Sequence, residues 1–285
     1  MTTWRVVDII QSSADYLSKK GVPNPRLDAE ILLGKVIQKE RLELYLFFDR
    51  PMAKQELDHY REFIRRRGER EPLQHILGET GFMNLILKTG PQALIPRPET
   101  EVLVEQAIHM MQGRPARILD IGTGSGCIAI ALAADLPDAD VQAIDLSEPA
   151  LSLARENAHL NHTEVSFSVL DIMKQIPDLD ERFGLVVSNP PYISPDEKQD
   201  LQEEVRDFDP PEALFDDVDG LSFYRRFAEI IPELLEPRGR FLFEFGGNHQ
   251  EKSVLNIFTE KGYADLEIIQ DYNGDPRVIS GSFLP

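Results

Sequence analysis

The chain has 285 residues, 42% of them hydrophobic and 28% charged, enough for one large core or for a standard domain with a smaller one beside it. Its 49 acidic and 30 basic side chains leave a net charge of −19. That charge repels a phosphate backbone, so no direct DNA binding is expected, and a basic protein surface is the better partner. No run approaches the ~20 apolar residues of a membrane-spanning helix. Met1 to Ile10, with Arg5 and Asp8, does not read as a secretory leader. The single cysteine, Cys127, excludes an intrachain disulfide and fits a cytoplasmic protein.

Residues 1–75 read as a small helical bundle. Val6, Ile10, Ala14 and Leu17 recur at helical spacing behind Thr2 and Thr3, which can cap. Gly21-Val22-Pro23-Asn24-Pro25 breaks the pattern, and Leu27, Ile31, Leu32 and Ile37 form the next apolar stripe. Leu42 to Phe48 is a short apolar run closed by Pro51. A charged helix follows over Lys54 to Arg67, with Leu57, Tyr60 and Ile64 on one face. Arg65, Arg66, Arg67 and Arg70 read as a solvated basic face and a candidate partner contact. Residues 76–96, punctuated by Gly78, Gly81 and Gly90, read as a β-hairpin linker.

From residue 97 strand and helix alternate. Arg117 to Ile121, Val141 to Asp145, Val165 to Leu170, Leu185 to Ser188 and Arg240 to Phe245 read as strands. Cys127 to Leu136, Pro149 to Leu160 and Ser222 to Leu235 read as helices. This order predicts an α/β fold with a mostly parallel sheet and helices on both faces. The tail, Leu266 to Leu284, has two strand-like runs around Asn273-Gly274, the signal of an antiparallel hairpin.

Asp120-Ile121-Gly122-Thr123-Gly124-Ser125-Gly126-Cys127 joins a strand to a helix. Glycines there let the backbone approach a ligand, and the free N–H groups of the helix start face it. Asp145 ends the next strand, 19 residues beyond Gly126, where a carboxylate can accept both ribose hydroxyls of a nucleoside. A dinucleotide fingerprint places its third glycine or alanine where Cys127 stands, one residue after Gly126. Three alternate glycines preceded by Asp120 suit the methionine end of S-adenosylmethionine better. Asp120 is a candidate to orient the cofactor's ammonium, through water or a backbone group. Asp171 is placed to accept from the adenine amine, and Ile172 to pack on the adenine face.

Ser188-Asn189-Pro190-Pro191-Tyr192 follows the fourth strand, at the carboxyl edge where open α/β sheets bind ligands. An amide or aromatic amine nitrogen is a weak nucleophile because its lone pair is delocalised. A site helps by accepting hydrogen bonds from both N–H protons, and the Asn189 side-chain oxygen and Pro190 carbonyl are two such acceptors. Consecutive prolines stiffen the loop, and Tyr192 offers a flat face for a planar group. In-line placement against a sulfonium methyl supplies most of the catalysis, so no histidine base is needed before transfer.

These residues carry a resemblance. Asn189 to Tyr192 with the Gly122–Gly126 loop resembles class I amino-methyltransferases. Ile95-Pro96-Arg97-Pro98-Glu99-Thr100-Glu101 and Glu71-Pro72-Leu73-Gln74-His75-Ile76-Leu77-Gly78 narrow it. The chain resembles the protein-(glutamine-N(5)) methyltransferases of peptide-chain release factors, the HemK/PrmC family, over nearly its whole length. The resemblance implies a class I S-adenosylmethionine-dependent methyltransferase domain over 97–285, with a Rossmann-like sheet, and a helical substrate-binding domain over 1–75. The implied reaction is methylation of the glutamine in the Gly-Gly-Gln loop of bacterial class-1 release factors, modulating translation termination and leaving S-adenosylhomocysteine. Gly122, Thr123, Gly124, Ser125, Gly126, Asp145, Asp171, Ile172 and Asn189 would contact the cofactor. Asn189, Pro190, Pro191 and Tyr192 would grip the glutamine, with Asn189, Pro190 and Tyr192 catalytic. Arg97, Glu99 and Thr100 would close the cofactor pocket. The chain departs from the family at His75, where a tyrosine is common, and at Ile172, near which a tryptophan or phenylalanine is common.

His159 and His162 have a metal-like spacing without a third ligand nearby, so no metal is expected. Cys127 reads as core, and Glu244 ends a strand where an acid can face the pocket. Two alternative functions remain: methylation of the exocyclic amine of adenine in DNA, which requires base flipping, and non-catalytic binding of S-adenosylmethionine.

Overall fold

The computed structural model of the chain describes residues 4–113, 116–178, 180–216 and 218–283. Thr2, Thr3 and Leu284 lie outside the described residues. The chain divides into two compact units, Met1–Gly78 with Gln202–Phe208, and Glu79–Leu201 with Asp209–Pro285.

The first unit is helical: α1 (Val6–Lys19), α2 (Pro25–Ile37), a 3-10 turn (Arg41–Leu46), α3 (Lys54–Gly68) and α4 (Leu73–Leu77). Val6, Ile10 and Leu17 of α1 pack with Tyr60 and Ile64 of α3, and Tyr60 donates its hydroxyl to the Ala29 carbonyl at 3.0 Å. The expected stripe of α2 is displaced. Ala29, Leu32 and Leu33 are buried, while Leu27 lies on the outside. The shift has a cause in Glu30, which is buried beside them and accepts from Arg26 and Arg41 at 3.0 and 2.7 Å. The run from Leu42 is not a core strip either. Leu44 is buried, and Leu42 and Leu46 are about four-fifths exposed, at 78% and 81%.

The basic run is not one solvated face: Arg65 is half exposed, but Arg67 is buried. Arg65 pairs with Glu62 and Glu69, and Arg66 with Glu71. Arg67 is buried, donating to Asp28 at 2.7 Å and to Glu204 at 2.9 Å. Arg70 also donates to Glu204. Glu204 arrives on Gln202–Phe208, which the chain returns to this unit long after leaving it.

The second unit begins with a hairpin, β1 (Glu79–Phe82) and β2 (Leu85–Lys88), followed by α5 (Pro98–Met111). Then come β3 (Arg117–Ile121), α6 (Cys127–Asp135), β4 (Asp140–Asp145), α7 (Glu148–Leu160), β5 (Ser166–Val169) and β6 (Phe183–Ser188). A 3-10 turn (Pro195–Asp200) leads to α8 (Glu203–Phe208), the helix that bears Glu204. The chain closes with α9 (Pro211–Leu214), α10 (Ser222–Leu234), β7 (Leu235–Glu244), α11 (Asn248–Glu260), β8 (Ala264–Gln270) and β9 (Pro276–Ser282).

Seven strands form one sheet in the order β5-β4-β3-β6-β7-β9-β8. β3 to β7 are parallel, and β8 and β9 are antiparallel around the Asn273-Gly274 turn. β7 begins five residues before the expected Arg240, because Leu235 pairs with Phe183 before the register shifts. Alternate residues divide between the two faces, as the pleat requires. Ile118, Leu185, Val187 and Leu242 pack with α5 and α6. Leu119, Val186, Phe241 and Phe243 pack with α10 and α11. The connections run from β3 outward to β5 and then return to β6, so the direction of winding reverses between β3 and β6. A crevice opens at such a reversal, outside the carboxyl ends of the strands.

Candidate active site

Both sequence motifs leave the sheet at this reversal. The glycine loop follows β3 and Asn189 follows β6. The buried Ser188 hydroxyl donates to the Ile121 carbonyl at 2.7 Å, fastening one strand end to the other. Gly122 and Thr123 donate their backbone N–H groups to the Ile144 carbonyl at 2.8 and 3.1 Å, which ties the loop to β4. Beside them lies a cavity of about 420 Å³. Gly122, Gly124, Asp145, Asp171, Ile172, Asn189, Pro190 and Pro191 line it, together with Ala93, Leu94, Arg97 and Thr100.

The expected contacts of the glycine loop divide. Gly122 has φ +72° and open space where a Cβ would stand, so its backbone borders the cavity without obstruction. Gly124 also lines the cavity. Thr123, Ser125 and Gly126 do not. The Thr123 hydroxyl donates to Asp120 Oδ2 at 2.6 Å, and the Ser125 carbonyl accepts from Asn157 at 2.9 Å. A Cβ on Gly126 would stand 2.8 Å from Ile130 Cδ1 and 3.0 Å from Ala154 Cβ, so this glycine serves helix packing. Asp120 is fully buried beneath the loop and outside the cavity lining, and burial pushes its carboxyl up to about 7. It organises the loop through Thr123.

Asp145 stands at the cavity edge with each oxygen already accepting one backbone N–H, from Gly124 at 2.8 Å and Ser147 at 2.9 Å. Each carboxylate oxygen keeps a further lone pair for a ligand. Burial raises its pKa, and the backbone donors of Ser147, Gly124 and Leu146 oppose that rise. Asp171 accepts from the Met173 backbone N–H at 3.1 Å and pairs with the exposed Lys174 at 2.7 Å, which lowers its pKa. Ile172 is buried against the cavity, and its carbonyl accepts from Arg226 at 2.9 Å.

Asn189, Pro190 and Pro191 line the cavity, and Tyr192 does not. The Asn189 amide donates to the Thr100 hydroxyl at 3.1 Å. The Tyr192 hydroxyl points to Glu244 at 3.5 Å, and burial raises its pKa. Tyr192 is fixed along its backbone as well. Its carbonyl accepts from the buried Gln250 at 2.7 Å, and a Cβ on Gly220 would stand 2.4 Å from the same oxygen. Arg97 donates to the buried Asp209 at 2.7 Å, where burial pushes the carboxyl up to about 6. Asp209 and Gln250 escaped the sequence reading, since each lies more than 50 residues from its partner with no spacing rule to connect them.

Gly122 and Gly124 present bare backbone, and a carboxylate and an apolar wall stand at adjacent strand ends. Such a cavity can hold a nucleoside with an amino-acid tail. Sheet, loop and acid together define a class I S-adenosylmethionine-dependent methyltransferase. Residues 98–206 match the family described as methyltransferase small domain, and residues 8–78 match the PrmC N-terminal domain. A release factor glutamine methyltransferase from Geobacter sulfurreducens is 41% identical over 98% of this chain and 96% of its own. One from Fusobacterium nucleatum is 42% identical over 96% of this chain and 77% of its own. The chain belongs to the release factor glutamine methyltransferase family. Its fold is also similar to that of a methyltransferase from Pyrococcus furiosus, with a TM-score of 0.53 at 16% identity, over 72% of this chain and 92% of that one. S-adenosylmethionine is the methyl donor. Among the described residues no helix is long and apolar enough to cross a membrane.

Proposed function

We propose that this protein methylates the side-chain amide nitrogen of the glutamine in the Gly-Gly-Gln loop of bacterial class-1 release factors, in the cytoplasm. The observation that carries the reading is Asn189 at the end of β6, on the cavity wall, with its amide nitrogen already bonded to Thr100. That leaves Oδ1 as an acceptor for a substrate N–H. The names of the relatives support the choice of release factors.

Gly122 and Gly124 hold the methionine end of the cofactor, Asp145 the ribose hydroxyls, and Asp171 and Ile172 the adenine. The cofactor supplies an electrophilic methyl group on a sulfonium sulfur. Asn189 Oδ1 and the Pro190 carbonyl accept the two N–H protons of the substrate amide. They aim its nitrogen at the methyl carbon and favour the charge that develops on that nitrogen. Held there, the amide nitrogen would take the methyl group that the cofactor supplies, with S-adenosylhomocysteine as the other product and one amide proton released to solvent. Pro191 stiffens the loop, and Tyr192 holds its far end.

The test is methyl transfer from labelled S-adenosylmethionine to an intact release factor, to the factor with its loop glutamine changed to alanine, and to duplex DNA. Label on the intact factor alone is expected. Label on DNA alone overturns the reading in favour of an adenine methyltransferase. Cofactor binding without any transfer overturns it in favour of a binding protein.

A further inference from the structure

A side-chain amide has nearly the same shape after a half-turn, yet the half-turn exchanges its donor for its acceptor. The chemistry assigned to Asn189 works in one rotation. In the other, an NH2 group would confront the substrate's own N–H donors and leave them without an acceptor. Something must hold the amide the right way round.

The holder is a buried chain of hydrogen bonds. Asn189 Nδ2 donates to Thr100 Oγ1 at 3.1 Å, and Thr100 Oγ1 donates to Glu244 Oε2 at 2.7 Å. The other oxygen of Glu244 faces the Tyr192 hydroxyl at 3.5 Å. Thr100 is 2% exposed and Glu244 1%. A threonine hydroxyl has one proton, and an ionised carboxylate only accepts. The proton therefore goes to Glu244, and Thr100 offers Asn189 lone pairs alone. Asn189 must turn its NH2 to Thr100 and its oxygen away.

We propose that Thr100 and Glu244 are positioning residues that set the rotation of the Asn189 amide, so that Oδ1 is the atom presented to the substrate's N–H. The proposal rests on the methyltransferase reading above. One carboxylate thereby governs both ends of the Asn189–Tyr192 segment.

The charge of Glu244 is part of the device. Burial pushes its carboxyl up to about 7. Thr100 and Glu99 face it from α5, Tyr192 from the motif loop, Cys127 from α6 and Arg277 from β9. Tyr224 of α10 donates to its backbone carbonyl at 2.7 Å, and Arg277 is itself paired with Asp271. Arg277 favours the ionised form and Glu99 opposes it. Once protonated, Glu244 can donate to Thr100 and release the threonine proton towards Asn189. The amide is then free to turn, so turnover falls as pH drops through about 7.

Thr100→Val and Thr100→Ser in the full-length protein test this, with two readouts. The first is exchange of the Asn189 side-chain amide protons by NMR. It should be at least about tenfold faster in Thr100→Val and near the wild-type rate in Thr100→Ser. The second is methyl transfer to a release factor. Thr100→Val should lower kcat about 10- to 100-fold with little change in KM for S-adenosylmethionine, and should flatten the acid limb of the pH profile. Thr100→Ser should keep most of the activity and the acid limb. Wild-type kcat and unchanged amide exchange in Thr100→Val would overturn the proposal, as would equal losses in the two variants. A wild-type protein that transfers no methyl group defeats the functional reading instead, and the exchange experiment still decides the rotation.

Discussion

Asp145 shows how one carboxylate can serve loop and ligand together. Its oxygens order the backbone at Gly124 and Ser147 and keep lone pairs which, in the proposed function, take the ribose hydroxyls. Asp145→Asn preserves shape and removes charge, and charge-assisted hydrogen bonds contribute about 1.5–3 kcal/mol. Calorimetry should show cofactor affinity lowered roughly 10- to 100-fold. Asp120 makes a different prediction. Its carboxyl is raised by burial from 3.8 to about 7, so the folded state holds a proton that the unfolded chain has lost. Its contribution to stability is complete below 3.8 and declines as pH rises towards 7. Asp120→Asn should reduce the fall in melting temperature across that window, and an unchanged pH dependence would contradict the assignment. The sequence picked out segments that border the cavity but not which of their residues line it. The glycine loop reads as a unit, yet Gly122 and Gly124 border the cavity while Gly126 packs on Ile130 and Ala154. That division depends on backbone torsion, which the residue names leave open.

Among elements, strand–helix alternation was legible because each strand has a period of two or a continuous apolar run and each helix its own stripe. The Asn273-Gly274 hairpin was legible from its turn. The α2 stripe was misread in part, at Leu27, because Glu30 is buried beneath two half-exposed arginines, and apolar spacing carries no sign of a buried carboxylate. The basic run of α3 was misread for a similar reason. Arg67 and Glu204 are 137 residues apart, so nothing local marks the arginine as buried. Removing one member of a buried ion pair leaves the other uncompensated and costs about 3–5 kcal/mol. Arg67→Ala should therefore destabilise the helical unit by about that amount in denaturant melts, with Asp28 and Glu204 left facing one another. A loss below about 0.5 kcal/mol would mean that the network is no more than a surface arrangement.

For the whole molecule, the net charge of −19 becomes a prediction about association. If the acidic surface of residues 76–285, which carry all of the excess negative charge, engages a basic release factor, attraction works over about 10 Å at 0.1 M salt and fades above it. KM for the intact factor should rise with ionic strength, while KM for S-adenosylmethionine, held in the cavity by short-range contacts, should change little. Equal salt dependence of the two would remove charge from the account of partner choice. The proposed reaction turns on a single atom, the nitrogen that receives the methyl group. Tandem mass spectrometry of a release factor after reaction locates it directly. The expected product carries the added mass of one methyl on the side-chain amide of the Gly-Gly-Gln glutamine, and Asn189→Ala leaves the factor unmodified. A methyl group on any other residue, or on the glutamine at an undiminished rate with Asn189→Ala, would contradict it.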